Sequence, residues 1–220
     1  MNLMTNLTEK TISLFSQKTK GKILQESLLL FNEQTFNQTT TASIAKSSNV
    51  LEGSLWYHFK SKKDLLVEHI KLFESSFKTN IENLKVGNKE VVIQKLFSIY
   101  GFVWDFRYIF RDSFEVYEKD DKKFADLIKR TNALLDGLVE DVLEYSLEIK
   151  IIEADSKELN EIGEIILIIG KHWLDYSRKK YPDDSNYLLQ KKGINLLIKV
   201  LYPYLTKDSI EMMDSIYEPV

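Results

Sequence analysis

Apolar residues recur every three or four positions along most of the chain, and this spacing predicts a protein built from helices. Short polar breaks separate the predicted helices. They cover residues 19–36, 41–48, 50–59, 61–84, 89–104, 121–148, 156–177, 185–202 and 207–217. The pattern predicts an all-α fold in which the long helix over residues 61–84 leads into a second domain.

One stretch departs from helical spacing. Its aromatic residues, Phe102, Trp104, Phe106, Tyr108 and Phe110, alternate as they would in a half-buried strand. A lone strand would have no partner with which to pair. We therefore interpret the stretch as a helix end, a bend and the start of another helix.

The segment 44–66, IAKSSNVLEGSLWYHFKSKKDLL, carries the clearest functional pattern in the chain. Hydroxyls of the threonine run 39–41 can cap a first short helix. Asn49 tolerates the left-handed backbone conformation that a sharp turn between two helices requires. Leu55 and Phe59 are spaced to bury one side of a second short helix. These features predict a helix-turn-helix.

The other side of the second helix carries Trp56, Tyr57 and His58. Two aromatic rings and an imidazole are unfavourable on a water-exposed surface unless something large packs on them. The major groove of DNA admits one α-helix and presents thymine methyls and base edges to it. A capped helix start follows, in which Ser61 precedes Lys62, a residue placed to bind phosphate by charge and helix dipole. The segment therefore predicts DNA binding.

Residues 19–70 resemble the DNA-binding domain of the TetR family of bacterial one-component repressors. In this comparison residues 19–36 correspond to the first helix, 41–48 to the second and 50–59 to the recognition helix, while Phe59 to Leu66 corresponds to the start of the fourth. The resemblance implies that double-stranded operator DNA is contacted by Thr40, Gly53, Ser54, Trp56, Tyr57, His58 and Lys62. We add Thr41 and Glu52, which lie beside these positions, to the candidate DNA-binding set.

Four residues depart from the pattern of that family. Thr35 stands where glycine is usual, Asn49 where glycine is common, Leu51 where a serine or threonine cap is common, and Glu52 where a basic or small residue is common. A carboxylate at Glu52 would repel phosphate unless it accepts a hydrogen bond from a cytosine amine. We therefore expect a lowered affinity for DNA or an unusual operator.

The resemblance also implies that the chain has three parts. Residues 1–18 form an N-terminal arm, residues 19–66 the helix-turn-helix domain, and residues 67–220 a helical domain for ligand binding and dimerisation. The arm is either a flexible segment or an extra turn of helix. A role for it in the minor groove is a further alternative, for which Lys10 and Lys18 are the available cations.

The net charge of −3 is unevenly distributed. Residues 1–73 carry nine lysines and six acidic residues, a charge of +3, whereas residues 74–220 carry 21 basic and 27 acidic residues, a charge of −6. The mildly basic end is the helix-turn-helix end. This distribution agrees with DNA binding by the N-terminal domain.

Several classes of function are excluded by what the sequence does not contain. The absence of cysteine excludes disulfides, thiolate nucleophiles and thiolate metal sites. The sequence has no nucleophile elbow, no phosphate-binding glycine loop and no histidine or carboxylate spacing typical of a metal site. We therefore predict that the protein is not an enzyme and needs no cofactor. A cytoplasmic protein without a membrane partner is predicted because no signal pattern or long apolar run is found.

Nine aromatic residues lie between Phe97 and Tyr117. They can fill the core of a helical bundle or line an apolar cavity for a small molecule. Arg107 and Arg111 can receive an anionic group there, or pair with acidic neighbours on the surface. His172 can contact a ligand or be a hydrogen-bonded core residue. The cavity alternative gives the candidate ligand-binding residues Trp104, Phe106, Arg107, Tyr108, Phe110, Arg111, His172, Trp173 and Tyr176.

The predicted helices over residues 156–177 and 185–202 carry more apolar surface than one packing face requires. The surplus can belong to the core of one chain, or can form a four-helix bundle with a second chain, the homodimer that the resemblance implies. The candidate interface residues are Ile162, Ile166, Ile169, Leu189, Gly193, Leu196, Leu197 and Val200.

These observations predict a homodimeric transcriptional repressor that is released from palindromic operator DNA. The release would follow when an unknown small molecule, apolar or aromatic, binds the C-terminal helical domain. The alternative is a constitutive DNA-binding or interaction module with a filled helical core and no effector.

Overall fold

The computed structural model describes residues 7–218, and helices make up most of this part of the chain. The N-terminal helices are α1 (Glu9–Ile12), α2 (Thr19–Glu33), α3 (Thr41–Ser47), α4 (Glu52–His58) and α5 (Lys62–Leu84). The later helices are α6 (Lys89–Asp105), α7 (Tyr108–Arg111), α8 (Glu115–Glu118), α9 (Lys122–Glu148), α10 (Ser156–Lys180), α11 (Asn186–Leu201) and α12 (Lys207–Ile216). The predicted all-α fold is confirmed. Among the helices of residues 7–218, none combines the length and the apolar character needed to cross a membrane.

The aromatic stretch with alternating spacing is a helix end, a bend and a helix start, as predicted. Helix α6 ends at Asp105 and α7 begins at Tyr108. Phe102, Phe106 and Tyr108 are all buried, because the bend lets side chains two residues apart face one core. The alternation therefore reflects the bend and not a strand.

The chain divides into two compact units. The first runs to Phe77 and adds Gly101–Ser113, and the second contains Lys78–Tyr100 and the chain from Phe114 onward. The predicted helix-turn-helix domain ended at residue 66, so the first unit is larger and includes a segment from the middle of the sequence. Aromatic packing explains this, since the Phe73 ring stacks on Phe102 at a centroid distance of 5.5 Å and contacts Phe106 at 5.6 Å.

Residues 7–18 are part of the first unit and pack on its other residues. The Thr8 hydroxyl donates to Asp105 Oδ2 at 2.6 Å, and the Thr8 amide donates to the same oxygen at 2.9 Å. Burial raises the pKa of the Asp105 carboxyl, and hydrogen bonds from Thr11 and Thr8 oppose that rise. Phe15 is also buried. Of the two alternatives for this segment, the extra turn of helix is the one found, as α1, while residues 1–6 lie outside the described part of the chain.

A buried histidine joins three helices of the first unit. His69 of α5 lies 2.7 Å through Nδ1 from the Tyr108 hydroxyl and 2.9 Å through Nε2 from the Leu24 carbonyl oxygen. The geometry fits a neutral ring in which Nε2–H donates to Leu24 and Nδ1 accepts from Tyr108. Burial lowers the pKa of His69 to about 4 from its ordinary value of 6.5.

The depressed pKa of His69 makes stability depend on pH. Between pH 6.5 and pH 4 the unfolded chain binds a proton that the folded chain does not, so stability falls as pH falls through this range. From pH 7 to pH 5 the free energy of unfolding should fall by about 2 kcal/mol more for the wild type than for His69→Gln. Chemical denaturation at both pH values measures this difference. Equal pH dependence in the two proteins would show that His69 is not buried in its neutral form.

The two arginines of the aromatic stretch serve the fold. Arg111 donates from Nη1 to the Asn32 carbonyl and from Nη2 to the Phe31 carbonyl, both at 2.7 Å, and pairs with Asp112 at 2.7 Å. Its guanidinium thus satisfies carbonyls at the C-terminal end of α2. Arg107 is buried and donates to the Trp104 carbonyl at 3.0 Å. The predicted pairing with an acidic neighbour is therefore found for Arg111, with Asp112, although the pair is buried and not on the surface.

The residues of the predicted ligand-binding set are divided between the two units. Its members Trp104, Phe106, Arg107, Tyr108, Phe110 and Arg111 belong to the first unit, whereas His172, Trp173 and Tyr176 belong to the second. The first six are buried or hydrogen-bonded within the first unit, and their role in lining an effector cavity stays a prediction. His172 is exposed, which contradicts its alternative role as a core residue.

Close packing between α10 and α11 forms part of the core of the second unit. A Cβ atom on Gly193 would lie 2.1 Å from the Tyr100 hydroxyl and 2.7 Å from Trp173, so only glycine fits there. The Trp173 indole donates to the Leu189 carbonyl at 2.9 Å. Ile162 is also buried. Three predicted interface residues, Ile162, Leu189 and Gly193, therefore serve the core of their own chain.

Apolar side chains remain exposed on α10. Ile165, Ile168 and Tyr176 have exposed fractions of 44%, 68% and 42%. Five further predicted interface residues keep partial exposure, namely Ile166, Ile169, Leu196, Leu197 and Val200. The second unit therefore has an apolar surface that its own chain does not cover.

Candidate nucleic-acid interface

Helix α3 begins with a reciprocal cap. The Thr40 hydroxyl accepts a hydrogen bond from the Ser43 amide at 3.0 Å, and the Ser43 hydroxyl accepts one from the Thr40 amide at 3.2 Å. This capping box satisfies two amides that a helix start would otherwise leave without partners. Ile44 and Ala45 then bury the inner side of the helix. The prediction that the threonine run caps this helix is confirmed.

A tight turn connects α3 to α4. Asn49 has φ 55°, the left-handed conformation predicted for it. The Val50 amide donates to the Ala45 carbonyl at 3.0 Å, which closes the end of α3. The turn allows α4 to start three residues after Asn49.

Helix α4 has one buried side, which packs on the rest of the first unit, and one exposed side. Leu55 is fully buried and Phe59 nearly so. On the opposite side Tyr57 is 78% exposed and Trp56 39% exposed, while Leu51 just before the helix is 83% exposed. The remaining predicted DNA-binding residues of α4 are Glu52, Gly53 and Ser54, all exposed, and His58, half-buried.

The structure shows one link between α3 and α4 that the sequence did not suggest. The Thr41 hydroxyl donates to Glu52 Oε1 at 2.8 Å. Thr41 and Glu52 are 11 positions apart and lie on different helices, so no helical spacing indicates this contact. The two residues that we added to the family's DNA-binding positions are therefore hydrogen-bonded to each other.

Lys62 has partners within its own chain that the sequence did not indicate. Its ammonium donates to the carbonyl oxygens of Phe36 and Thr39, each at 2.8 Å, and lies 4.7 Å from the centroid of the Phe36 ring. Partial burial lowers the pKa of Lys62. The ammonium thus fastens the start of α5 to the segment between α2 and α3. These contacts occupy two of its three donors, and its predicted contact with phosphate stays a prediction.

The start of α5 has the predicted cap. The Ser61 amide donates to Asp64 Oδ2 at 3.0 Å, and the Asp64 amide donates to the Ser61 hydroxyl at 3.2 Å. Between the two helices, Lys60 is exposed and donates to the Trp56 carbonyl at 3.3 Å. Lys60, two residues after the end of α4, is a cation that the sequence analysis did not include among the DNA-binding candidates. Clusters of three or more metal-ligating side chains are not found in residues 7–218.

Two family models match the chain in succession. The model described as "Bacterial regulatory proteins, tetR family" matches residues 23–68, which contain α3 and α4. The model described as "Bacterial transcriptional repressor" matches residues 73–212. The chain belongs to the TetR family. TetR-family transcriptional regulators are DNA-binding proteins and not enzymes, in agreement with the prediction.

Similarity to individual curated proteins covers part of the chain. The biofilm operon regulator IcaR of Staphylococcus aureus, a negative transcriptional regulator, is 31% identical over 87 residues. The match covers 40% of this chain and 45% of IcaR, so this chain spans less than half the length of that relative.

Solved structures of other TetR-family proteins share the fold. A TetR-family regulator from Marinobacter aquaeolei has a TM-score of 0.66 at 20% identity, over 90% of this chain and 97% of its own. The SmeT–triclosan complex has a TM-score of 0.59 at 14% identity, over 88% of this chain and 94% of its own. At these identities the likeness shows the architecture of a TetR-family regulator.

Proposed function

We propose that this protein is a homodimeric transcriptional repressor that reads a palindromic operator through α4 and is released by a small molecule. The observation that carries the proposal is the exposed face of α4. Leu51, Trp56 and Tyr57 leave large apolar surfaces in water on a helix whose opposite side is anchored by Leu55. The major groove accepts such a helix and offers thymine methyls and base edges to these side chains.

The need for two copies follows from the length of α4, which has seven residues. One such helix reads too few base pairs for useful specificity, so two symmetric copies about one helical turn apart, roughly 34–36 Å, are required. The exposed residues Ile165, Ile168, His172 and Tyr176 follow one side of α10 at helical spacing. We infer that this stripe meets its symmetry mate, with α11 contributing the half-exposed Leu196, Leu197 and Val200.

A polar atom in the second unit supports an effector site there. The Ser177 hydroxyl is buried, and its oxygen has no hydrogen-bond partner among the described residues. Trp173 lies one helical turn earlier on α10. An apolar or aromatic molecule that accepts or donates one hydrogen bond fits this combination. The SmeT–triclosan complex is a structure of similar fold that contains a small molecule.

Release follows if the effector favours a conformation in which the two α4 helices no longer match adjacent major grooves. Two helices are continuous across both units, since α5 and α6 each contribute residues to the first and to the second. A shift of these helices changes the placement of α4. A difference of a few kcal/mol in effector affinity between the two conformations is sufficient.

Replacement of Tyr57 tests whether α4 reads bases. Tyr57→Ala should weaken binding to the operator by about tenfold to 100-fold and change binding to random DNA much less, because the ring faces base edges. Fluorescence anisotropy with both DNAs measures the two affinities. Tyr57→Phe is the matched control, since it keeps the ring and removes the hydroxyl. Equal losses on operator and random DNA would contradict a base-reading role for Tyr57.

A further inference from the structure

We propose that Glu52 selects a cytosine in each half-site of the operator by accepting a hydrogen bond from its N4 amino group. The Thr41 hydroxyl holds the carboxylate in position for this contact. The inference rests on the proposed function, and it specifies one base of the operator that the protein would recognise. It follows from the donors and acceptors of α4, from the anchoring of Glu52 and from the open space beside it.

The side chains of α4 exclude the commonest ways of reading guanine and adenine. The helix has the sequence EGSLWYH and contains no arginine, lysine, asparagine or glutamine. Arginine and lysine pair with guanine O6 and N7, and asparagine and glutamine pair with adenine N6 and N7. Within α4, Glu52 is thus the one charged side chain, and its carboxylate accepts hydrogen bonds but does not donate them.

An acceptor in the major groove requires a donor on a base. The available donors are the N4 amino group of cytosine and the N6 amino group of adenine. On adenine, N6 lies between two acceptors, N7 of the same base and O4 of the paired thymine, and both repel a carboxylate. On cytosine, one side of N4 is a C–H group. Cytosine is therefore the base that a carboxylate favours.

The contact with Thr41 directs the carboxylate. The Thr41 hydroxyl, on α3, donates to Glu52 Oε1 at 2.8 Å, which leaves Oε2 available. A glutamate held in one orientation loses less conformational freedom on binding than a free one. Thr41 does not touch the base in this arrangement, so it is a positioning residue.

Glu52 lies in open surroundings. Glu52 is exposed and forms no ion pair with the described residues. A Cβ atom built on the adjacent Gly53 would meet nothing within 4 Å, so packing within the chain does not require glycine there. The space at Gly53 allows the helix to approach a base pair closely. A carboxylate without a cation near phosphates is unfavourable unless the DNA supplies a donor to it.

Selection of binding sites from a library of random double-stranded DNA tests the inference. The full-length wild type should enrich a palindrome with cytosine at one position of each half-site, preferred about tenfold over the other bases. Glu52→Gln should shift that position to adenine, because an amide pairs with N6 and N7 together. Glu52→Ala should lose the base preference at that position and keep the preferences at the other positions of the half-site. Thr41→Val should weaken the preference at the same position, which a loss of folding would not do.

Glu82→Gln is the matched control, since it removes the same charge from an exposed residue of the second unit and should leave every preference unchanged. A palindrome whose bases are identical for wild type and Glu52→Ala would overturn the role of Glu52 and leave the proposed function standing. A preference for guanine or thymine that depends on Glu52 would also overturn the inference. If the wild type enriches no sequence, the proposed function fails as well.

Discussion

Replacement of Ile168 by aspartate is expected to convert the protein into monomers and to weaken operator binding by about 100-fold or more. Ile168 is 68% exposed on α10, in the stripe that also contains Ile165 and Tyr176. A charge there would be buried without a partner in the dimer, whereas in the monomer it remains in water. Monomers read one half-site only, so they lose the gain in affinity from simultaneous binding of two heads.

Sedimentation velocity and anisotropy with operator DNA measure the two effects. Val116→Asp is the control, because Val116 is 77% exposed and lies on α8, outside the stripe. It should leave both the dimer and the affinity unchanged. The helical content of Ile168→Asp, measured by circular dichroism, should match that of the wild type, which shows that the variant folds. An intact dimer in Ile168→Asp would place the interface on another surface.

Removal of the Arg111 side chain is expected to destabilise the first unit by about 3–5 kcal/mol. The Arg111 and Asp112 side chains are 1% and 5% exposed, so Arg111→Ala leaves a buried carboxylate without its cation. It also leaves the carbonyls of Phe31 and Asn32 without the two guanidinium donors. Unsatisfied buried groups of this kind are among the costliest results of a single substitution.

Urea denaturation followed by circular dichroism measures the loss. Arg111→Lys is the informative comparison, because lysine keeps the charge and cannot donate to two carbonyls and a carboxylate in one plane. It should recover part of the stability, but not all of it. A loss below about 1 kcal/mol for Arg111→Ala would mean that water replaces the guanidinium, and that the end of α2 is not held by α7.

Local signals explain why the helix-turn-helix could be predicted from the sequence. The cap at Thr40, the left-handed residue Asn49 and the spacing of Leu55 and Phe59 each act within a few residues of the chain. Such features determine helix starts, turns and buried sides without help from distant residues. The exposed face of α4 follows from them, because the residues that are not needed for burial must point outward.

Distant partners explain what the sequence did not indicate. Arg111 caps carbonyls that are 79 and 80 positions away, and His69 meets Tyr108 across 39 positions. The spacing of aromatic residues correctly predicted a bend near Phe106 but could not identify the unit into which the bend packs. The sequence likewise did not indicate the contacts of Lys62 with the Phe36 and Thr39 carbonyls, because these groups come together only after folding.

The sequence also could not distinguish the apolar residues that are buried in the core of one chain from those that form the proposed interface. Helical spacing placed Ile162, Leu189 and Gly193 together with Leu197 as apolar surface, but the first three are covered by their own chain. Their partners, such as Tyr100 at Gly193, come from another helix of the second unit. The exposed Ile168 was not among the predicted interface residues, because a sequence does not show which of two apolar sides is already covered.

Recovery of genomic fragments is the most direct test of the central claim that this TetR-family protein is a dimeric reader of a palindromic operator. Purified full-length protein is mixed with fragments of the genome from which it comes, and the retained DNA is mapped by footprinting. We predict a palindrome whose half-sites are about one helical turn or slightly more apart, protected symmetrically. Retention of no specific fragment, or protection of a single asymmetric half-site, would contradict the claim.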